Sequence, residues 1–277
     1  MLGKLLKHEF KSTARIFIPF YFALIGVAAI LKLFTLFESR INILVLPRAL
    51  FIFLYAVLVA IVFALAYIIT CTRFYRNLLG DEGYLMHTLP VKPYLHIWTK
   101  LITGIVWLFA SILAGLLSVL VLTLRKGLFG DIIKGIDLVF KQLGVILNNS
   151  SAGLTLAAFI LMLAVVLINS FLMFYASMSV GQLIRRHRVI GSIAAYFGFS
   201  FITQMISAVV MFILSKTNTF DVLQNGNVGV INGRVVNIQI LNAITAFLLV
   251  FSVLYTLTAI GYYIITNYML KKKLNLE

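Results

Sequence analysis

Residues 77–100, NLLGDEGYLMHTLPVKPYLHIWTK, form the longest polar stretch of the sequence and hold much of its reactive chemistry. Two of the eight acidic residues, Asp81 and Glu82, and two of the four histidines, His87 and His96, lie in it. Carboxylates and imidazoles can act as general acids and bases or as metal ligands. Three interpretations compete: an active site, a docking surface for another protein, or a plain loop.

Catalysis is the least supported of the three. Glu82 has no evident base, metal or nucleophile partner, and no nucleophile–base–orienter set is present. The histidines lack metal-ligand spacing and Cys71 is the only cysteine, so no zinc or cluster site stands out. The G-x-x-x-x-G-K-[ST] phosphate loop is also missing. We therefore expect no enzyme activity and no cofactor in this chain, and any uphill transport must draw energy from another polypeptide or an ion gradient.

The composition indicates an all-α, polytopic membrane protein. Hydrophobic residues make up 62% of the chain and charged residues only 11%, whereas soluble domains carry about 25% charged residues. The net charge of +15 then favours membrane orientation and anionic lipid over nucleic acid as its explanation. We expect a single transmembrane domain over 1–277. Six runs reach the roughly 20 residues that a membrane-crossing helix needs, and they lie near 16–37, 48–70, 101–124, 153–180, 193–214 and 241–268.

The distribution of basic residues predicts the orientation of the spans. Six spans place both termini on one side of the membrane. That side carries 14 of the 23 Lys and Arg residues, and the opposite side carries the other 9. Cytoplasmic loops carry the excess of positive charge, so both termini are expected in the cytoplasm, with the chain in the plasma membrane.

Residues 1–15 show the pattern of an amphipathic helix at the membrane surface. Basic residues recur every three or four positions, and apolar residues do the same on another side. The segment either braces a neighbouring element, as an elbow, or simply anchors the topology. The basic residues are Lys4, Lys7, Lys11 and Arg15, and the apolar ones are Leu2, Leu6, Phe10 and Phe17.

Two segments between the spans carry patterns of their own. Residues 128–147 carry apolar residues on one helical face and charged residues on another, which predicts a second interfacial helix, on the outer side. Residues 228–238 hold Asn232-Gly233 between β-branched runs, which predicts a type I′ hairpin, although an irregular loop is the alternative.

Polar residues inside the predicted spans are neutral. No Asp or Glu occurs in them before Glu38, at the end of the first span, and ion-coupled transporters use such carboxylates as coupling sites. Asn169 and Gln204 are candidates for substrate contact, and interhelical hydrogen bonding is the alternative. Pro19 is expected in the first turn of span one, where its missing N–H costs little.

Docking remains as the best interpretation of residues 77–100. Gly80 should end the helix leaving span two, and a short helix should run from Asp81 to Leu89 because Pro90 cannot continue it. Leu85 and Leu89 are i,i+4 neighbours on this polar helix, which is favourable if another protein covers them. Trp98 and Lys100 then mark the headgroup level where span three begins.

The segment GDEGYLMHTLPVKPYLHIWTK resembles the connection between spans two and three in bacterial type-2 ATP-binding-cassette (ABC) exporter permeases. That family has an acidic residue, a glycine, a short apolar helix, Leu/Thr-Pro-Val and a lysine opening span three. The matching positions here are Glu82, Gly83, Leu85, Leu89, Pro90, Val91 and Lys100. The six spans and the N-terminal helix also fit, whereas 215–240 departs from the short re-entrant helices that members often have there.

The resemblance implies that residues 77–100 contain a cytoplasmic coupling helix bound by a separate ATPase subunit, which holds the ATP and Mg²⁺. It also implies a second permease subunit, identical or related, and export of an amphipathic or hydrophobic peptide, lipid or drug. An ion-driven secondary transporter or channel, or a non-transporting immunity protein, is the alternative. The residues expected to contact the ATPase are Asp81, Glu82, Gly83, Tyr84, Leu85, Met86, Leu89, Pro90 and Val91.

Overall fold

The structure is a computed structural model. It describes residues 2–37, 45–80, 93–124, 128–148, 150–184, 187–217, 229–231, 234–236 and 238–272. Seven α-helices lie in these ranges, namely α1 (Leu2–Phe37), α2 (Val45–Phe74), α3 (Pro93–Thr123), α4 (Leu128–Asn148), α5 (Ser150–Gly181), α6 (Arg188–Ser215) and α7 (Ile238–Lys272).

The chain is an all-α polytopic membrane protein, as the composition predicts. All the α-helices except α4 are long and apolar enough to cross a membrane. Each predicted span lies on one of these six helices, except that Leu124 follows the end of α3. Each helix begins before its predicted apolar run. Large apolar side chains are exposed on every one of the six, which is stable in lipid and not in water.

Helix α1 joins residues 2–15 of the basic segment and the first apolar run into one continuous helix. The expectation that Pro19 lies in a first helical turn is therefore wrong, since Pro19 is inside α1. Proline cannot donate to the carbonyl of Arg15, four residues earlier. Such interior prolines are tolerated in membrane helices because their neighbours support the interrupted backbone.

Helices α1 to α3 form the first of two compact units. Helix α1 packs most extensively on α3. The two helices run in the same direction, because Glu9 meets Lys100 near their starts and Tyr21 meets Ser111 further along.

Helix α2 runs against this pair. Its last turn brings Arg73 to Glu9, and its beginning brings Phe51 to Phe34, with ring centroids 5.0 Å apart. One polar contact and one aromatic contact therefore fix the two ends of α2 against α1.

Helices α5 to α7 form the second unit, in which α5 packs most extensively on α7. Thr155 and Thr245 share a hydrogen bond of 2.6 Å near the starts of these parallel helices. The connection from α5 to α6 is tight: a Cβ at Gly181 would lie 2.1 Å from the Ser192 hydroxyl oxygen and 2.4 Å from the Ser192 amide nitrogen. Glycine is therefore the residue that this backbone approach permits.

The two patterned segments between the spans both form regular structure. Helix α4 exposes apolar side chains, Ile133 and Phe140 among them, and carries an exposed ion pair of 2.7 Å between Lys141 and Asp137. Strands β1 (Gly229–Ile231) and β2 (Arg234–Val236) pair antiparallel. Ile231 lies opposite Arg234, and the predicted type I′ turn at Asn232-Gly233 lies outside the described residues.

Candidate functional site

The predicted docking segment falls largely outside the described residues. The structure describes 77–80 on one side of it and 93–100 on the other, so the site can be built only from these two flanks. The following predicted contact residues lie outside the described ranges: Asp81, Glu82, Gly83, Tyr84, Leu85, Met86, Leu89, Pro90 and Val91.

The flank before the segment ends in an unusual turn. Helix α2 passes into a π-helical turn, Tyr75–Leu79, in which the Gly80 amide donates to the Tyr75 carbonyl at 2.8 Å. A Cβ at Gly80 would lie 3.0 Å from the Arg76 carbonyl oxygen, so a larger residue would crowd this turn. The helix ends at Gly80 as the sequence predicts, and π-helical turns of this kind occur frequently at functional sites.

Both flanks meet the N-terminal helix in a buried ionic cluster, which we call the Glu9 cluster. Its members are Glu9, Ser12, Arg73, Asn77 and Lys100. The Lys100 ammonium nitrogen lies 2.5 Å from Glu9 Oε1, and an Arg73 guanidinium nitrogen lies 3.3 Å from Glu9 Oε2. The Asn77 amide donates to Oε1 at 3.5 Å, and Arg73 also donates to the Ser12 hydroxyl.

Burial makes the Glu9 cluster a strong constraint. The Glu9 and Lys100 side chains are 9% and 5% exposed, whereas Arg73 is 21% exposed. A buried charge is costly unless it is paired, so removing one partner of such a pair destabilises by about 3–5 kcal/mol. The cluster therefore fixes α1 against the end of α2 and the beginning of α3.

Periodicity along α1 explains why a carboxylate points inward here. Glu9, Thr13 and Phe17 are spaced by four residues, share one face of the helix and are all buried. The Trp107 indole N–H donates to the Thr13 hydroxyl at 2.7 Å, and the Trp107 ring stacks on Phe17 at 4.4 Å. Helix α3 thus holds this face of α1 from Lys100 to Trp107.

At this site the structure corrects one expectation and reveals residues that the sequence reasoning missed. Lys100 does not anchor span three at the headgroups, because it is buried against Glu9. Glu9, Arg73 and Asn77 were not recognised as members of a site. One signal was available for Glu9, which is the only acidic residue in the first 37 positions.

The two predicted substrate-contact residues have separate hydrogen-bond partners. Asn169 is buried and accepts a hydrogen bond of 3.0 Å from Thr258 of α7. Gln204 is exposed on α6, where its amide donates to Ser200 of the same helix at 3.2 Å. Asn169 therefore makes the interhelical hydrogen bond that was the alternative to substrate contact, and a substrate role for either residue stays a prediction.

Metal ligation has no candidate in the part of the chain that the structure describes. No three His, Cys, Asp or Glu side chains lie together there in a group that could hold a metal ion. His96, in the first turn of α3, is buried in the first unit. The Glu9 carboxylate already forms ion pairs with Arg73 and Lys100.

Comparison with known proteins adds no assignment: no family model, no curated protein and no solved structure matches this chain.

Proposed function

We propose that this chain is the membrane-spanning permease subunit of an ABC exporter. A separate ATPase subunit binds ATP and Mg²⁺ and docks on residues 81–91 from the cytoplasm. Two permease subunits, identical or related, form the pathway in the plasma membrane, and the cargo is amphipathic or hydrophobic. Both termini are cytoplasmic in this arrangement.

The Glu9 cluster is the observation that carries the proposal. Residues 81–92 connect the end of α2 to the beginning of α3, and the cluster ties both of these ends to α1 through Arg73 and Lys100. A force applied to the connecting segment would therefore reach three membrane-spanning helices together.

The same cluster weighs against the ion-driven alternative. Helix α1 contains Glu9, a carboxylate that the predicted first span did not include. A coupling carboxylate has to bind and release its ion, whereas Glu9 is held by Lys100 and Arg73 at 2.5 and 3.3 Å. Its geometry is that of a structural counter-ion.

The docking assignment is tested by substitutions in the segment itself. Glu82→Lys and Leu85→Asp should each reduce co-purification of the ATPase subunit with the tagged protein in gentle detergent, because they reverse a charge and place a charge on the docking face. Quantitative mass spectrometry of the purified complex measures this, and membrane insertion should be unchanged.

A matched control is available on α4. Asp137→Lys makes the same kind of charge reversal at an exposed acidic side chain, and it should leave the amount of ATPase unchanged. ATPase recovery equal to that of the unaltered chain in both segment variants would refute the docking assignment. Cargo movement in liposomes that contain no ATPase would instead support the secondary transporter.

A further inference from the structure

One side of α1 is exposed from Lys4 to Leu33. Residues spaced by three or four positions share a helix face, and this face begins with basic side chains and continues with apolar ones. Its exposed basic members are Lys4, Lys7, Lys11 and Arg15, and its exposed apolar members include Ile18, Phe22 and Leu33.

The one acidic residue of α1 lies on the opposite side. Glu9 is buried with Thr13 and Phe17, and its charge is satisfied by Lys100 and Arg73. The first four turns of α1 therefore present cations outward and no carboxylate, although the sequence of the segment contains one. The fold, and not the composition alone, makes this surface purely cationic.

The change from basic to apolar residues locates the membrane boundary on this face. Ile18 and Phe22 are exposed large apolar side chains, so in a membrane-spanning helix they face hydrocarbon. Arg15 precedes Ile18 by three residues, or about 4.5 Å along the helix axis. The cations of the same face therefore begin where the phosphate groups of the lipids lie.

We propose that the exposed basic face of α1, formed by Lys4, Lys7, Lys11 and Arg15, binds the phosphate groups of anionic phospholipids. Lipid is favoured over a soluble acidic protein because this face is continuous with the surface that lipid tails cover. The proposal does not depend on the exporter assignment.

The contributions of the four cations should be unequal. Attraction to an anionic surface is worth about five-fold in affinity for each nearby Lys or Arg, and it decays over a Debye length of about 8–10 Å. Lys4 lies eleven residues, or about 16 Å of helix, before Arg15. Lys11 and Arg15 should therefore contribute most, and Lys4 least.

The test measures lipid binding by the full-length protein. Purified chain in a neutral detergent is titrated with dioctanoyl phosphatidylglycerol, and bound lipid is counted by native mass spectrometry. Dioctanoyl phosphatidylcholine and glycerol 3-phosphate are titrated in parallel, to separate the anionic headgroup from the neutral lipid and from free phosphate. We expect Lys11→Gln/Arg15→Gln to weaken phosphatidylglycerol binding about 25-fold, and high salt to weaken binding by the unaltered chain.

The matched control removes two cations elsewhere. Lys134→Gln/Lys141→Gln acts on α4, where Asp131 and Asp137 neutralise the surface, and it should change the affinity less than two-fold. The proposal is overturned if the control loses as much affinity as the α1 variant, or if the α1 variant binds phosphatidylglycerol as the unaltered chain does. The proposal is also overturned if the unaltered chain binds phosphatidylcholine or glycerol 3-phosphate as tightly as phosphatidylglycerol. It is likewise overturned if the α1 variant loses a co-purifying acidic protein but still binds phosphatidylglycerol like the unaltered chain.

Discussion

Glu9→Gln removes the carboxylate on which the three helices of the first unit converge while keeping the side chain's shape. The Lys100 ammonium then stays buried without its counter-charge, and Arg73 loses one of its partners. We expect the free energy of unfolding to fall, and we expect α1 to loosen from the beginning of α3 first, because Lys100 is the more buried of the two cations.

The magnitude follows from the burial of each cation. Lys100 is 5% exposed and lies 2.5 Å from Glu9, so its loss of a partner should cost about 3 kcal/mol, the lower end for buried pairs. Arg73 is 21% exposed at 3.3 Å and reaches solvent, so its pairing adds about 1 kcal/mol or less. The total expected loss is about 3–4 kcal/mol.

The assay is equilibrium unfolding of the full-length protein by sodium dodecyl sulfate in mixed micelles, followed by circular dichroism. Asp137→Asn is the matched control, because it removes a carboxylate from an ion pair whose side chains are 57% and 72% exposed. Exposed pairs contribute about 0–1 kcal/mol, so the control should unfold close to the unaltered chain.

A double variant decides whether charge pairing is the cause. Glu9→Gln/Lys100→Met removes both buried charges, so it should be more stable than Glu9→Gln alone, since an uncompensated charge costs more than an apolar replacement of the pair. A Glu9→Gln protein as stable as the unaltered chain, or a double variant less stable than the single one, would refute the reasoning.

Two further predictions concern the second unit. Gly181→Ala should lower the free energy of unfolding by about 1–3 kcal/mol, because the new Cβ would overlap the Ser192 backbone. Gly198→Ala is the control and should not destabilise, because a Cβ there meets no neighbouring atom within 4 Å. Equal unfolding curves for both variants would contradict the close approach at Gly181. Asn169→Leu should lower the free energy of unfolding by only about 0.6 kcal/mol, the typical value of one interhelical hydrogen bond in a membrane protein. The loss is small because the Thr258 hydroxyl also donates to a carbonyl of its own helix. A much larger loss of transport than of stability would reveal contact of Asn169 with cargo.

The spans were predictable because hydropathy is a local property of the chain. A run of about 20 apolar residues must form a helix to satisfy its backbone in lipid, whatever the helix packs against. The end of helical backbone at Gly80, after the π-helical turn that follows α2, was predictable for a similar reason, since glycine weakens a helix at its own position. The continuity of α1 through residue 15 was missed because a change in polarity was taken as a change of element.

The partners of the buried charges were decided by the tertiary structure alone. Glu9 and Lys100 are 91 positions apart, and although Glu9 stands out as the only acidic residue in the first 37 positions, no local pattern relates it to Lys100. Which side of α1 meets α3 depends on the packing of Thr13, Phe17 and Trp107 together. The sequence by itself determined which segments enter the membrane, because that depends on transfer of each segment out of water. Only the fold determined that the single acid of α1 turns inward to pair while the four cations of its first four turns face outward, because pairing energies depend on distances between helices that no local pattern contains.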